Sequence, residues 1–393
     1  MHVRERVRAH RPNDIAVTGL GLVTPAGRDA ESTWDGLLDG VSTAARDVRL
    51  AGLPVDFSCR VAGFDGAAPL GLAAAREAVA DAACSAAWEG ARVAVVLGTS
   101  GGCHGGLPGG GLQDGGRAVT AGEISADLGA LGPSFVTVGG CASGATAIGM
   151  ARDLLRAGSC DIAVAGGTDS VLGRTAAAGF GRLGALSSRT HDPAGASRPF
   201  DAERDGFVLG EGAGVLVLER LADARARRAR VRAVLAGYGA SAEARPGEGP
   251  VGLDGVDPEG RGVELAVRAA FADAGLAPDD VDHVNAQGTG APLDDLAEAR
   301  VLRRVFRGTP PPVTAVKSAI GHAGGGAGAV EAACTVLTIQ HQAIPPTANL
   351  DRLDPEIELD VVTKSPRRGP VRAALSTSFG LGGQNAVLLF RTP

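Results

Sequence analysis

The feature that most limits what this chain can fold into is an alternation of strand and helix signals that runs its course and then starts again. IAVTG at 15–19 is a short β-rich run that passes through a glycine turn into a helical stretch at 34–38. The rhythm continues through RVAVVL at 92–97, SFVTV at 134–138, a small-residue helix from 143 to about 157, IAVA at 162–165 and VLVL at 215–218. Near residue 231 it restarts, with a strand VRAVLAGYG, a helix at 262–274, a strand VDHVNA, helices at 293–305 and 327–340, and a hairpin-like pair, ALSTSFG and AVLLF. Near-continuous apolar runs separated by helices predict a layered α/β fold in which helices cover mostly buried strands. The two passes are alike in layering without identity-level repetition, so a structural duplication is expected, with halves at 14–231 and 232–393 behind a frayed tail at 1–13. Glycine and proline make 101–116 and 241–256 loops, the first flexible enough to flank a site.

Composition removes several classes of function. Sixty glycines in 393 residues show no G-X-Y period, so they belong in turns and close backbone contacts rather than a collagen helix. A net charge of −6 lacks the basic surplus that a nucleic-acid surface needs. No run approaches the roughly 18 apolar residues of a membrane span, and the basic start MHVRERVRAHRPND has no apolar stretch behind it, so a cytoplasmic protein without membrane contact is expected. Cys59, Cys84, Cys103, Cys141, Cys160 and Cys334 are scattered with no CxxC pair, which predicts neither a disulfide framework nor a metal site. Of 38 basic residues only Lys317 and Lys364 are lysines, so each occupies a place where arginine was not used.

The glycine clusters do not spell a nucleotide site. VTGLGLVTPAG displaces the third glycine of a dinucleotide fingerprint, and the cluster at 321–328 lacks the Lys-Ser/Thr ending of a phosphate loop. Cys141 is more informative. It follows SFVTV through Gly139-Gly140 and precedes ASGATAIGMARDLLRAG, a strand, sharp turn and helix in the manner of a nucleophile elbow. There a helix N-terminus favours thiolate and the backbone N–H can face an oxyanion, although a buried structural cysteine fits the same local pattern. KSAIGH sets Lys317 five residues before His322, and VNAQGTG sets Asn285, Gln287 and Thr289 just after a strand. An imidazole beside a thiolate supplies a hydrogen bond or a proton.

Taken in order, IAVTGLGLVTPAG, GGCASGA, AVAGGTDS, GFGRLGALSSR, RPFDAERDGFVLGEGAGVLVLE, VNAQGTGAPLDDLAEA, VKSAIGHAGGGAGAVEA and STSFGLGGQNAVLLF resemble a β-ketoacyl-acyl-carrier-protein synthase, a ketosynthase of the thiolase superfamily. The resemblance implies a thiolase-like five-layered α-β-α-β-α fold made of two similar halves, the first carrying Cys141 and the second Gln287, Lys317 and His322. It implies that Cys141 takes an acyl chain from an acyl carrier protein and that the backbone N–H groups of Cys141 and Phe379 hold the oxyanion. Phe379 also resembles the gate of the acyl pocket, Lys317 a cation supporting His322 and paired with Glu298, and Thr289 a contact to the pantetheine arm. No tightly bound cofactor is expected beyond that phosphopantetheine arm, and the partner is a second ketosynthase-type subunit in a homodimer or heterodimer. A dimer is expected too because a sheet edge and the small apolar residues at 139–147 would otherwise stand at the surface.

The chain departs from the pattern at two places. Gln287 stands where the family has a histidine and Ala291 where it has a threonine, and the segment between Gly98 and Pro133 is shorter. An amide still donates a hydrogen bond to an enolate oxygen but exchanges no proton near neutral pH, so acylation of Cys141 is expected to survive better than decarboxylative condensation. Three readings follow. One is an acyltransferase of fatty-acid or polyketide biosynthesis working through Cys141, the second a partner subunit like a chain-length factor, and the third unusual chemistry such as ester formation or cyclisation on the same scaffold.

Overall fold

A computed structural model of the protein describes residues 14–100, 121–243, 257–380 and 382–393. The expected tail at 1–13 and loop at 101–116 lie outside the described residues, as does the 241–256 loop beyond Glu243. Ser241 and Ala242, expected in that loop, instead end a strand.

Ten strands form the main sheet among the described residues: β1 (Ile15–Val23), β2 (Val93–Gly98), β3 (Ser134–Thr137), β4 (Ile162–Ser170), β5 (Glu211–Arg220), β6 (Ala233–Ala242), β7 (His283–Asn285), β8 (Val313–Thr314), β9 (Ala373–Phe379) and β10 (Gln384–Arg391). Their spatial order is β8-β7-β9-β10-β6-β1-β5-β4-β2-β3. In the first set β1 runs antiparallel to β5 and β5 to β4, while β4, β2 and β3 are parallel. In the second set β6 runs antiparallel to β10 and β10 to β9, while β9, β7 and β8 are parallel. Adding five to each strand number of the first set reproduces the second in both order and direction, so the restart in the sequence is a duplication of topology. The sets join where Ile15–Val17 of β1 pairs antiparallel with Ala233–Leu235 of β6.

Helices complete five layers. α1 (Ala67–Ala82) covers the outer face at β1 and β5, and α3 (Arg261–Ala274) covers β6 and β10 with α4 (Pro292–Val305) beside it. Between the two strand sets lie α2 (Ser143–Arg156) and α5 (Ala327–His341), which touch each other and strands of both sets. This is the α-β-α-β-α arrangement of the thiolase fold.

Burial explains the sequence patterns. Strands covered on both faces need apolar or small residues throughout, and all nine residues of β1 and all six of β2 are buried. A helix in the middle layer has no solvent face, and every residue of α5 from Ala327 to Ile339 is buried. The strand-and-helix rhythm does not single out α1, because its alanine-rich sequence carries little contrast between its faces.

The residues around 139–147 correct one expectation. Ala142, Ser143, Gly144, Ala145 and Ala147 are buried inside the protomer rather than waiting at its surface. They are small because α2 must approach α5 closely: a Cβ on Gly144 would stand 2.7 Å from the Ala329 nitrogen and 2.9 Å from its Cβ. What remains at the surface is β3, the last strand at its end of the sheet. Gly144→Ala should therefore lower stability by about 1–3 kcal/mol through overpacking, read as a lower denaturant midpoint with unchanged slope.

Candidate active site

The Cys141 corner is built from short-range bonds. Gly140 turns the chain with φ +56°, a conformation that costs a side-chain-bearing residue more than glycine. The Ser143 hydroxyl accepts from the Gly139 N–H at 2.8 Å and donates to the Gly140 carbonyl at 2.6 Å, while the Thr137 hydroxyl donates to the Ser143 carbonyl at 2.9 Å. The corner is thus braced on both sides of the cysteine. Cys141 stands just before the first turn of α2, where the positive end of the dipole of a 14-residue helix is directed.

Three other chain segments meet it. His322 follows one helical turn, Lys317–Ile320, and its backbone is tied at both ends, N–H to the Val208 carbonyl at 2.8 Å and carbonyl from the Gly210 N–H at 2.9 Å. Its Nε2 lies 3.0 Å from the Cys141 sulfur, and its ring stands edge-to-face on Phe207 with centroids 5.4 Å apart. Burial, and secondly the charge of Lys317, hold this imidazole well below the usual histidine range, so it is neutral at physiological pH. Nδ1 has no hydrogen-bond partner among the described residues, so no bond fixes the tautomer, and Nε2 is free to accept from a thiol or donate to a thiolate.

Gln287 arrives from the loop after β7. Its Nε2 donates to the Phe379 carbonyl at 2.8 Å, and its Oε1 accepts from Lys317 Nζ at 3.0 Å. Both ends of the amide are occupied, so its orientation is set. Phe379 closes β9, where the Gly380 N–H donates to the Gln384 carbonyl at 2.7 Å. In an antiparallel ladder successive residues face opposite ways, which turns the Phe379 N–H away from β10 toward the side where Gln287 lies. A Cβ on Gly380 would stand 3.5 Å from the Cys141 nitrogen, so the end of β9 abuts the cysteine corner.

Lys317 corrects the expected pairing. The residue is 2% exposed, and its salt bridge goes to Glu331 of α5 rather than to Glu298. Its Nζ also donates to the Gln287 carbonyl at 2.7 Å. Glu298 is already engaged from the other side of the loop: it accepts from the N–H groups of Gln287 and Gly288, each at 3.0 Å, and from the Thr377 hydroxyl at 2.7 Å. Burial raises the Glu298 carboxyl, opposed by these donors, and pushes Glu331 up to about 7, opposed by Lys317. The signal for Glu331 was present in the sequence as the one acidic residue inside the apolar run of α5. Phe207 carried no such signal, since one aromatic in a mixed loop is unremarkable.

These groups share one small cavity lined by Cys141, Gln287, Thr289, His322 and Phe379, with Phe207, Asp294 and Gly380 completing the wall. It encloses about 20 Å³, room for a single water. Thr289 spends its hydroxyl accepting the Ala291 N–H at 3.1 Å. Among the described residues no cluster of three or more His, Cys, Asp or Glu is placed to hold a metal, and no helix is long and apolar enough to cross a membrane.

Family comparison fits this geometry. Residues 60–224 match the model of the β-ketoacyl synthase N-terminal domain and residues 232–351 that of its C-terminal domain. The chain belongs to the β-ketoacyl synthase family. It is similar to the 3-oxoacyl-[acyl-carrier-protein] synthase 2 of a Synechocystis species, 35% identical over 421 residues that cover 96% of this chain and 97% of the relative. The enzyme of the same name from Staphylococcus aureus is also 35% identical, over 415 residues covering 96% and 98%. Among solved structures, a ketosynthase bound to a hexaketide, in complex with its type II polyketide acyl-carrier protein, superposes with TM-score 0.87 at 27% identity, covering 98% of this chain and all of the other. The ishigamide ketosynthase/chain length factor superposes with TM-score 0.84 at 33% identity over 98% and 100%. The protein is thus an enzyme of an acyltransferase family, a ketosynthase of fatty-acid or type II polyketide synthesis.

Lys317→Met in this β-ketoacyl synthase should destabilise the fold by about 1–3 kcal/mol, because Glu331, already pushed up to about 7, takes up a proton once the ammonium is gone, and the Gln287 oxygens and the buried carboxyl lose their donor. Lys317→Met/Glu331→Leu should recover part of that loss in chemical denaturation, since the unsatisfied buried carboxyl is removed with its partner.

Proposed function

We propose that this ketosynthase accepts an acyl chain from the phosphopantetheine arm of an acyl carrier protein onto Cys141. The observation that carries the reading is the 3.0 Å approach of His322 Nε2 to the Cys141 sulfur at the N-terminus of α2. The thiolate attacks the thioester carbon, and the oxyanion that forms is received by the backbone N–H groups of Cys141 and Phe379. Collapse breaks the bond to pantetheine, whose thiolate leaves and takes up the proton that Cys141 gave to His322 Nε2. No tightly bound cofactor is needed for this exchange of one thioester for another. In this reading Thr289 contacts the arm and Phe379 gates the acyl pocket, and both line the cavity beside Cys141.

Gln287 sets the limit of the activity. It offers an amide N–H to the enolate of a decarboxylating malonyl group, yet it moves no proton, and positioned acid–base help is worth about 10²–10⁴-fold. Acyl transfer is therefore the step this site performs best, and condensation is impaired. A second reading, a partner subunit like a chain-length factor, is favoured by Gln287 itself and by likeness to the ishigamide ketosynthase/chain length factor.

Incubation with an acyl-carrier thioester should add the acyl mass to the protein and leave Cys141→Ala unmodified. Gln287→His should raise carbon dioxide release from malonyl-carrier protein by about 10²–10⁴-fold while adduct formation changes less than tenfold. Failure of both proteins to acylate, with the natural partner subunit present, would put the second reading first.

In this reading a second ketosynthase-type subunit, in a homodimer or heterodimer, sits against β3, the edge strand among the described residues, which continues into Val138 at 58% exposure. Light scattering at micromolar concentration should give a dimer mass, alone or with that partner, and a charge at Val138 should weaken it.

A further inference from the structure

Between α5 and the strands β7 and β9 lies a layer of polar side chains that the acyl-transfer chemistry does not use. Glu331, Thr335 and Thr338 fall at i, i+4 and i+7 of α5 and so form one stripe along the helix. The stripe faces the strands, because the Asn285 amide donates to the Glu331 carbonyl at 3.1 Å and to the Thr335 hydroxyl at 3.3 Å. His283, two residues before Asn285 on the same strand, points to the same side. On β9, Ser376 is the register partner of Asn285, and the Ser378 oxygen lies 2.6 Å from where a Cβ on Gly328 of α5 would stand. One face of two strands and one face of a helix thus bring seven polar side chains together, every one of them at most 2% exposed.

Their hydrogen bonding is incomplete. His283 Nδ1 and Nε2, Asn285 Oδ1, Ser376 Oγ, Ser378 Oγ, Thr338 Oγ1 and Glu331 Oε2 have no partner among the described residues. Isolated buried polar atoms of this kind are rare and each carries a desolvation cost, so six residues with such atoms on facing surfaces of one layer require a common explanation. The chemistry is mixed, with donors and acceptors from imidazole, hydroxyl, amide and carboxylate, which suits a molecule that is both donor and acceptor. It does not suit a cation or an anion.

We propose that this layer binds a chain of ordered water molecules running from the free oxygen of Glu331, the counter-ion of Lys317, along Thr338 and Ser376 to His283. Buried waters typically hold about three hydrogen bonds to otherwise unpaired groups, which is what the layer offers. The far end of the chain is His283, the first residue of β7. Its link to catalysis rests on the reading of Cys141 as the acylated residue, whereas the hydration does not, and the test reads hydration alone.

Thr338→Val and Ser376→Ala remove hydroxyls without adding bulk, and neither residue belongs to the Cys141 site. If water occupies the layer, each variant loses hydrogen bonds and its thermal midpoint falls by about 1–2 °C. If the hydroxyls are dry, removing an unsatisfied group holds or raises the midpoint, and that result in either variant overturns the proposal. The unaltered protein gives a second measurement that no folding defect can disturb: in its high-resolution crystal structure, water within hydrogen-bond distance of His283 and Ser376 supports the chain, and ring nitrogens packed only against carbon overturn it.

Discussion

The buried ammonium of Lys317 is the contact on which the geometry of the site depends. Taking an ion out of water costs several kcal/mol, and the cost is met only where partners are held in place. Lys317 has three, Glu331 on the middle helix and the main-chain and side-chain oxygens of Gln287. Movement of the Gln287 loop would leave the charge with a single partner, so the loop is bound to α5 by electrostatics rather than by apolar packing. Glu298 grips the same loop through its N–H groups, and Gln287 in turn holds the Phe379 carbonyl. The end of β9, which brings Gly380 against Cys141, is therefore tied through Gln287 to the Lys317 ammonium.

That arrangement gives the glutamine a different standing from a simple loss. An amide in place of an imidazole usually introduces a rotational ambiguity, because its oxygen and nitrogen are nearly the same size. Here the ammonium dictates that oxygen faces Lys317 and nitrogen faces the Phe379 carbonyl. His322, neutral through burial and through the same ammonium, adds no competing positive charge beside the sulfur. The site holds the Lys317 ammonium behind Gln287 and uncharged groups close to the Cys141 sulfur.

Much of this could be read from the chain before any coordinates. The Cys141 corner was legible because a strand, two glycines and a run of small residues are local features, and each is enforced by local sterics. The duplication was legible as a restarted rhythm, although the two-residue strand β8 left no signal in it. The Lys317 partner was not. Glu298 and Glu331 lie 19 and 14 residues from Lys317 respectively, and nothing in spacing says which side of an unfolded loop an ammonium will face. The small residues at 139–147 misled for a related reason, since smallness records close approach without saying whether the neighbour is another chain or the helix α5 of the same one. α1 escaped notice because alanine is as suited to one face as to the other.

The place of β1 at the centre of the sheet has a consequence for how the protein comes to be made. β1 pairs with β5 and β6, whose residues lie about 200 positions later in the chain. At a synthesis rate of about 5–20 residues per second, the strand leaves the ribosome some 10–40 s before either partner exists. Throughout that interval nine consecutive core residues have no native strand to pair with, and closing so long a loop is slow even once the partners emerge. A nascent chain of this fold thus carries an unpaired apolar strand for most of its synthesis, the condition in which strand edges are most open to wrong partners.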